Sequence, residues 1–144
     1  MTLEQIMSHD VVCVAPDTTL MEIRKLLQER GFHHLLVLNE NDELVGVISD
    51  RDVLRVVSPF IDTFTESQRD VRTLSRPASD IMRDEPITVH HSTSITDAAA
   101  RLLHEDISSL PVVDENDQLC GIVTSKDLLR YYADVEGEEV EEET

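Results

Sequence analysis

Tryptophan is absent, and aromatic residues make up only 3% of the 144 residues. A core without large rings has to be built from Val, Ile and Leu, whose branched side chains suit strands and close-fitting layers. The four glycines are too few for an extensive glycine-rich loop around a phosphate chain. The two cysteines, Cys13 and Cys120, both stand in apolar runs, which predicts buried free thiols rather than a disulfide or a metal site. Bases are scarce as well: 12 Lys and Arg oppose 30 Asp and Glu, a net charge of −18. A surface of that sign is repelled by nucleic acid and by anionic membranes, so neither is an expected partner. No apolar run approaches the length of a membrane span, and no basic segment followed by an apolar one opens the chain. A soluble cytoplasmic protein is the expectation.

Catalytic machinery is missing too. No nucleophile elbow occurs, and neither cysteine has a basic setting. The chain does not read as an enzyme, and no catalytic residue is assigned. Histidines occur as the doublets His33–His34 and His90–His91, with His9 and His104 reading as surface residues. Neighbours on a strand point to opposite faces, so neither doublet is expected to chelate a metal.

What the chain does have is a repeat. Ile6-Met7 returns as Ile81-Met82, and the correspondence continues without a gap at a constant offset of 75. Asn41-Asp42-Glu43-Leu44-Val45-Gly46 reappears as Asn116-Asp117-Gln118-Leu119-Cys120-Gly121, and Ser49-Asp50-Arg51-Asp52 as Thr124-Ser125-Lys126-Asp127. Two copies of a period this long indicate a duplicated supersecondary unit rather than a solenoid. Each copy, at about 55 to 60 residues, is marginal for a core of its own, so the copies are expected to pack on each other.

Periodicity assigns the same elements to each copy. In the first, a helical turn spans Thr2 to Met7 and a strand Val11 to Val14. A helix follows from the capping-type Thr19-x-x-Glu22 to Gly31, then strands Leu35–Leu38 and Leu44–Ser49, then a helix from Ser49 through Val57. In the second, the strands are Ile87–Val89, Leu110–Val113 and Leu119–Thr124, with helices at Ile95–Glu105 and Lys126–Ala133. The expected fold is therefore α+β: two pseudo-twofold-related β-α-β-β-α repeats packed through their sheets. Repeat 1 covers 1–57, a linker 58–76, whose polar middle Glu66 to Arg72 is a candidate helix, and repeat 2 covers 77–133. Residues 134–144 carry seven acids and read as a disordered tail; without these acids the body still holds 23 acids against 12 bases.

The sharpest signal is the repeated Gly-x-x-Ser/Thr-x-x-Asp: Gly46, Ser49 and Asp52, then Gly121, Thr124 and Asp127. One reading is purely structural, because Ser/Thr-x-x-Asp ahead of a helix is a variant capping box. Against it stand the duplication, the location at a strand-to-helix junction that attracts anions, a glycine that permits close backbone approach, and a cation two residues after each hydroxyl, Arg51 and Lys126. A hydroxyl, a carboxylate and a cation form a set suited to a nucleotide.

With these motifs, and with Ser109-Leu110-Pro111-Val112-Val113 and its partner His34-Leu35-Leu36-Val37-Leu38, the stretch from Ile6 to Tyr132 resembles a tandem pair of CBS domains, also called a Bateman module. The resemblance implies an adenosine ligand in a cleft between the copies: AMP, ADP or ATP, or else S-adenosylmethionine or NAD, with no metal specified. It implies that Asp52 and Asp127 hold ribose hydroxyls and that Ser49 and Thr124 approach the first phosphate. Val12, Cys13 and Val14, and Ile87, Thr88 and Val89, would frame the adenine, and His33 and His34 would face phosphates alongside Arg51 and Lys126. It further implies a regulatory homodimer and, with no effector domain on this chain, an unidentified effector protein. The linker residues Glu66 to Asp70 are similar to those of stand-alone bacterial CBS pairs associated with acetoin utilisation. The copies differ at Leu36 against Pro111 and at His33-His34 against Ser108-Ser109, so their sites are expected to differ, with the Asp127 site nearer the family pattern. The rival is a ligand-free interaction module in which both motifs only cap helices and the acidic body meets a basic partner.

Overall fold

Caps and turns set where the chain changes direction. The computed structural model of the chain describes residues 2–57 and 68–143. Two compact units emerge, Val12–Pro86 and the combination of Met1–Val11 with Ile87–Thr144.

In the first unit, β1 (Cys13–Val14) lies parallel to β2 (His34–Leu38), which pairs antiparallel with β3 (Leu44–Ser49), and β3 with β4 (Arg83–Asp84). Helix α1 (Leu20–Arg30) makes the crossover between the parallel strands. The Thr19 hydroxyl accepts the Glu22 N–H at its start, and Gly31 closes it in the left-handed region at φ 67°, a conformation that costs glycine little. Asn39 shapes the β2–β3 turn, its side-chain oxygen accepting the N–H groups of Asn41 and Glu43 at 2.9 and 3.0 Å. Helix α2 (Asp50–Val56) follows β3; α3 (Gln68–Arg72), a 3-10 turn and α4 (Ala78–Ile81) complete the unit. Of the candidate linker helix, Glu66 and Ser67 lie outside the described residues. Val14, Leu20, Ile23, Leu35, Val37, Ile48, Val53, Ala78 and Ile81 form the core.

The second unit repeats this plan. Strand β5 (Val89–His90) runs parallel to β6 (Ser109–Val113), which pairs antiparallel with β7 (Leu119–Thr124). Helix α5 (Ile95–Glu105) makes the crossover, capped by the Ser94 hydroxyl and ended by Asp106 at φ 53° where the other copy has glycine. Asp114 plays the part of Asn39, accepting the N–H groups of Asn116 and Gln118 at 2.8 and 3.0 Å. The core gathers Leu3, Met7, Ile95, Ala98, Leu102, Leu110, Val112, Val123 and Leu128. Burying each such Leu or Ile side chain contributes about 1.5–3 kcal/mol.

The units do not coincide with the sequence repeats. The segment that opens each repeat lies in the unit built on the other repeat's strands. Thr2 bridges Ser94 and Ser8 bridges Ile122, while Pro77 bridges Thr19 and β4 extends the sheet at β3. The bridges Thr2–Ser94 and Pro77–Thr19 are equivalent under the offset of 75.

Three expectations are revised. Cys13 is exposed: strand alternation turns Val14 into the core and its neighbour outward. Cys120 is half-buried, its thiol donating to the Val112 carbonyl at 3.4 Å. The rings of His90 and His91 do not point to opposite faces but stack with centroids 4.5 Å apart, because β5 ends at His90 and alternation ends with it. The last helix, α6, runs Ser125–Glu143, past the predicted end at Ala133 and through the acidic stretch for which disorder is expected. Glu is a good helix former, and Gly137 alone opposes it there.

Candidate functional site

Both Gly-x-x-Ser/Thr-x-x-Asp motifs form the junction of a strand with a helix. In the Val12–Pro86 unit, Ser49 is the N-cap of α2: its hydroxyl accepts the Asp52 N–H at 3.2 Å, and Asp52 Oδ2 accepts the Ser49 N–H at 2.9 Å. In the other unit, Asp127 Oδ2 accepts both the N–H and the hydroxyl of Thr124, at 2.9 and 3.1 Å, while Thr124 Oγ1 accepts the Asp127 N–H at 3.2 Å. The capping box is therefore present twice. It occupies one oxygen of each carboxylate. The other, Oδ1, faces an arginine one turn along, Arg55 at 3.7 Å and Arg130 at 3.6 Å. Both carboxylates are largely buried, with side chains 15% and 16% exposed, whereas the arginines are open to solvent. The arginines were legible in the sequence as a duplicated Asp-x-x-Arg, one helical turn apart, yet they escape a reading that stops at the motif's aspartate.

Around Ser49 the structure gathers the histidines. His34 pairs with Ser49 across β2 and β3, and the Asp50 N–H donates to the His33 carbonyl at 2.9 Å. His33 Nδ1 lies 3.0 Å from Asp50 Oδ2, so a local carboxylate already faces that ring. Val12 joins the same sheet region by accepting the Leu36 N–H at 2.9 Å, whereas Val14 is committed to the core. Arg51 is exposed.

Around Thr124 the counterparts are hydroxyls. Ser109, buried, pairs with Thr124 across β6 and β7, and the Ser125 N–H donates to the Ser108 carbonyl at 2.9 Å. Pro111 is fully buried opposite Ile122. Val89 pairs with Val112, two residues along β6 from Leu110; Thr88 and Lys126 are exposed.

The glycines have a different role from the close ligand approach their position in the motif implies. A Cβ at Gly46 would overlap the Met82 side chain, and one at Gly121 would stand 2.7 Å from the Ser8 carbonyl and 3.0 Å from Met7 Sδ. Each glycine makes room for the Ile-Met segment that opens the other repeat.

A cavity of about 660 Å³ lies at the far end of the first unit's sheet, between the Ala15-Pro16-Asp17 loop and Leu38 to Asn41; no motif residue lines it. Among the described residues no group of three His, Cys, Asp or Glu is placed to hold a metal, and no described helix is long and apolar enough to cross a membrane.

Comparison with known proteins places this geometry. The CBS domain profile matches residues 3–59 and 78–134. An uncharacterized protein of Methanopyrus kandleri, MK0525, is 32% identical over 127 residues covering 88% of this chain, which spans 60% of that protein's length. Among solved structures, CBSX2 of Arabidopsis thaliana in complex with AMP is similar with a TM-score of 0.74 at 32% identity, covering 94% of this chain and 98% of that one. The CBS domain pair of protein MJ0100, in complex with 5′-methylthioadenosine and S-adenosyl-L-methionine, is similar with a TM-score of 0.76 at 25% identity, covering 92% and 96%. Two matched copies, each with its own sheet and its own capped Ser/Thr-x-x-Asp junction, show that the chain belongs to the CBS domain family as a tandem pair.

Proposed function

We propose that this chain is a regulatory module that binds an adenosyl ligand at its Ser/Thr-x-x-Asp junctions and signals occupancy through its own dimer or to an effector protein. The observation that carries the reading is the split use of each aspartate. Oδ2 of Asp52 and of Asp127 caps a helix, which fixes the carboxylate in place, while Oδ1 lies beside a solvent-exposed arginine and is the oxygen offered to ribose hydroxyls. Ser49 and Thr124 stand at helix N-termini, where free N–H groups favour a phosphate. Arg51 and Lys126 are exposed cations within reach of charge on the ligand. AMP, ADP, ATP, S-adenosylmethionine and NAD are the candidates. The complexes of CBSX2 with AMP and of MJ0100 with adenosyl compounds support the adenosyl class. A ligand that contacts one arrangement better than another shifts the population toward it, and this gives a non-catalytic chain a way to signal.

A second reading has its own observation. The Thr124 hydroxyl donates to Asp127 Oδ2, so both motif side chains satisfy each other without a ligand. The chain is then an interaction module whose acidic surface meets a basic partner. A thermal-shift screen with the five ligands, with and without Mg²⁺, separates the two. A ligand at 100-fold over its Kd adds about 2.7 kcal/mol of stability, several degrees in the midpoint. No shift with any of them supports the interaction module instead.

A further inference from the structure

His91 stands between two carboxylates from separate parts of the chain. Its Nε2 lies 3.1 Å from Glu115 Oε1 in the β6–β7 turn, and its Nδ1 lies 3.4 Å from Glu4 Oε2 in the 3-10 turn Leu3–Gln5. The His91 N–H donates to the Val113 carbonyl at 2.9 Å, which fixes the backbone, and the side chain is only 21% exposed. A neutral imidazole carries one N–H and would turn a lone pair toward one of these carboxylates; the imidazolium has a donor for each.

Two further groups, Asp114 and His90, lie around the ring. Asp114, at the start of the turn, has its carboxyl held below the usual range first by the Gln118 and Asn116 N–H groups and then by the two histidines. His90 stacks on His91 with centroids 4.5 Å apart, and its Nδ1 lies 2.7 Å from the Ser92 hydroxyl and 3.2 Å from the Ser92 N–H.

We propose that His91 is a proton-operated clasp that fastens the N-terminal segment to the β6–β7 turn within the second unit. The segment it fastens is the one that carries Met7 and Ser8 against Gly121 and Ile122, two to three residues before Thr124. At the offset of 75 the counterparts of Glu4 and His91 in the other unit are Ser79 and Pro16, and there the Ser79 N–H simply donates to the Pro16 carbonyl at 2.9 Å. The Glu115 bond, opposed by partial desolvation and reinforced by the charges of Glu115 and Glu4, lifts the His91 pKa above its ordinary value. The sign follows. A raised folded-state value means that the clasp acts fully below the unfolded histidine range, near 6.5, and lets go as pH rises through the folded value.

The test is an NMR titration of the His91 ring in the full chain, with Glu4→Gln, Glu115→Gln and His91→Gln, followed by amide hydrogen exchange at Ser8 and Ile122, whose N–H groups bond each other's carbonyls at 2.8 and 3.0 Å. The expected results are a wild-type midpoint above that of an unstructured histidine, a lower one in both Glu variants, and a loss of protection at Ser8 of about two- to fivefold across the His91 transition, the scale of exposed ion pairs. In His91→Gln that pH-linked step disappears. A midpoint unmoved by Glu4→Gln, or protection at Ser8 indifferent to the His91 titration in the wild type, overturns the proposal, and neither result depends on how well His91→Gln folds.

Discussion

At the residue scale, the aspartates of the two motifs carry two separable jobs, and the substitutions that tell them apart are Asp52→Ala and Asp127→Ala. Loss of a cap costs about 1 kcal/mol of stability, read by urea denaturation. If Oδ1 also receives ribose hydroxyls, affinity for the adenosyl ligand found in the screen falls by tenfold or more, beyond what the stability change explains; isothermal titration calorimetry at a temperature where both variants are folded measures it. The Asp127 variant is expected to lose more, because its unit has Thr124 and Pro111 and lacks the His33–Asp50 pair that occupies the equivalent corner. Equal affinity in wild type and both variants would leave the caps as the motifs' entire role. The sequence announced these aspartates through spacing and duplication alone. It did not announce that His33 is engaged by Asp50, since the contact depends on how the β2 entry and the α2 start lie side by side. Nor did it show that Cys13 faces outward, because an apolar run of four does not reveal which of its members the sheet turns inward.

At the element scale, local chemistry explains most of what was legible. Helix α5 and strands β3 and β7 have the bounds their patterns predict, and α1 starts after Thr19 and stops at Gly31, because caps and alternation are contacts among near neighbours. The departures occur where distant segments decide. Strand β4 has no apolar alternation, and it exists because Gly46 leaves room for Met82 beside β3. The glycines can be tested on that footing. Gly121→Ala pushes a methyl into the Ser8 carbonyl and Gly46→Ala pushes one into the Met82 side chain, each costing about 1–3 kcal/mol as overpacking. Met82→Ala removes the Sδ and Cγ contacts and should make the Gly46 double mutant less destabilised than the sum of the singles. Met7→Ala should give no such relief at Gly121, where the obstacle is main chain. Strict additivity in the Gly46 pair would show that this glycine serves some other purpose.

At the scale of the whole molecule, duplication explains a feature that neither copy shows alone. Each unit borrows the opening segment of the other repeat, so neither half of the sequence holds a complete unit. The same duplication leaves a matching apolar surface on the helices that close the repeats. Leu54 on α2 and Leu129 on α6 are equivalent at the offset of 75 and are 77% and 69% exposed. One exposed leucine is ordinary; here each unit carries one at the same place on its closing helix, with Tyr132 a turn further along α6 and 40% exposed, an apolar spot that the proposed dimer would cover. A second copy of the chain is its expected cover, because a self-complementary contact is the commonest route to an oligomer. Light scattering at micromolar concentration should give twice the chain mass for the wild type and a monomer for Leu54→Glu with Leu129→Glu. The variant's unfolding midpoint at low concentration should be unchanged, since neither side chain contributes to a core. A monomeric wild type would remove the dimer from the proposed mechanism and leave an effector protein as the remaining route by which occupancy is read out.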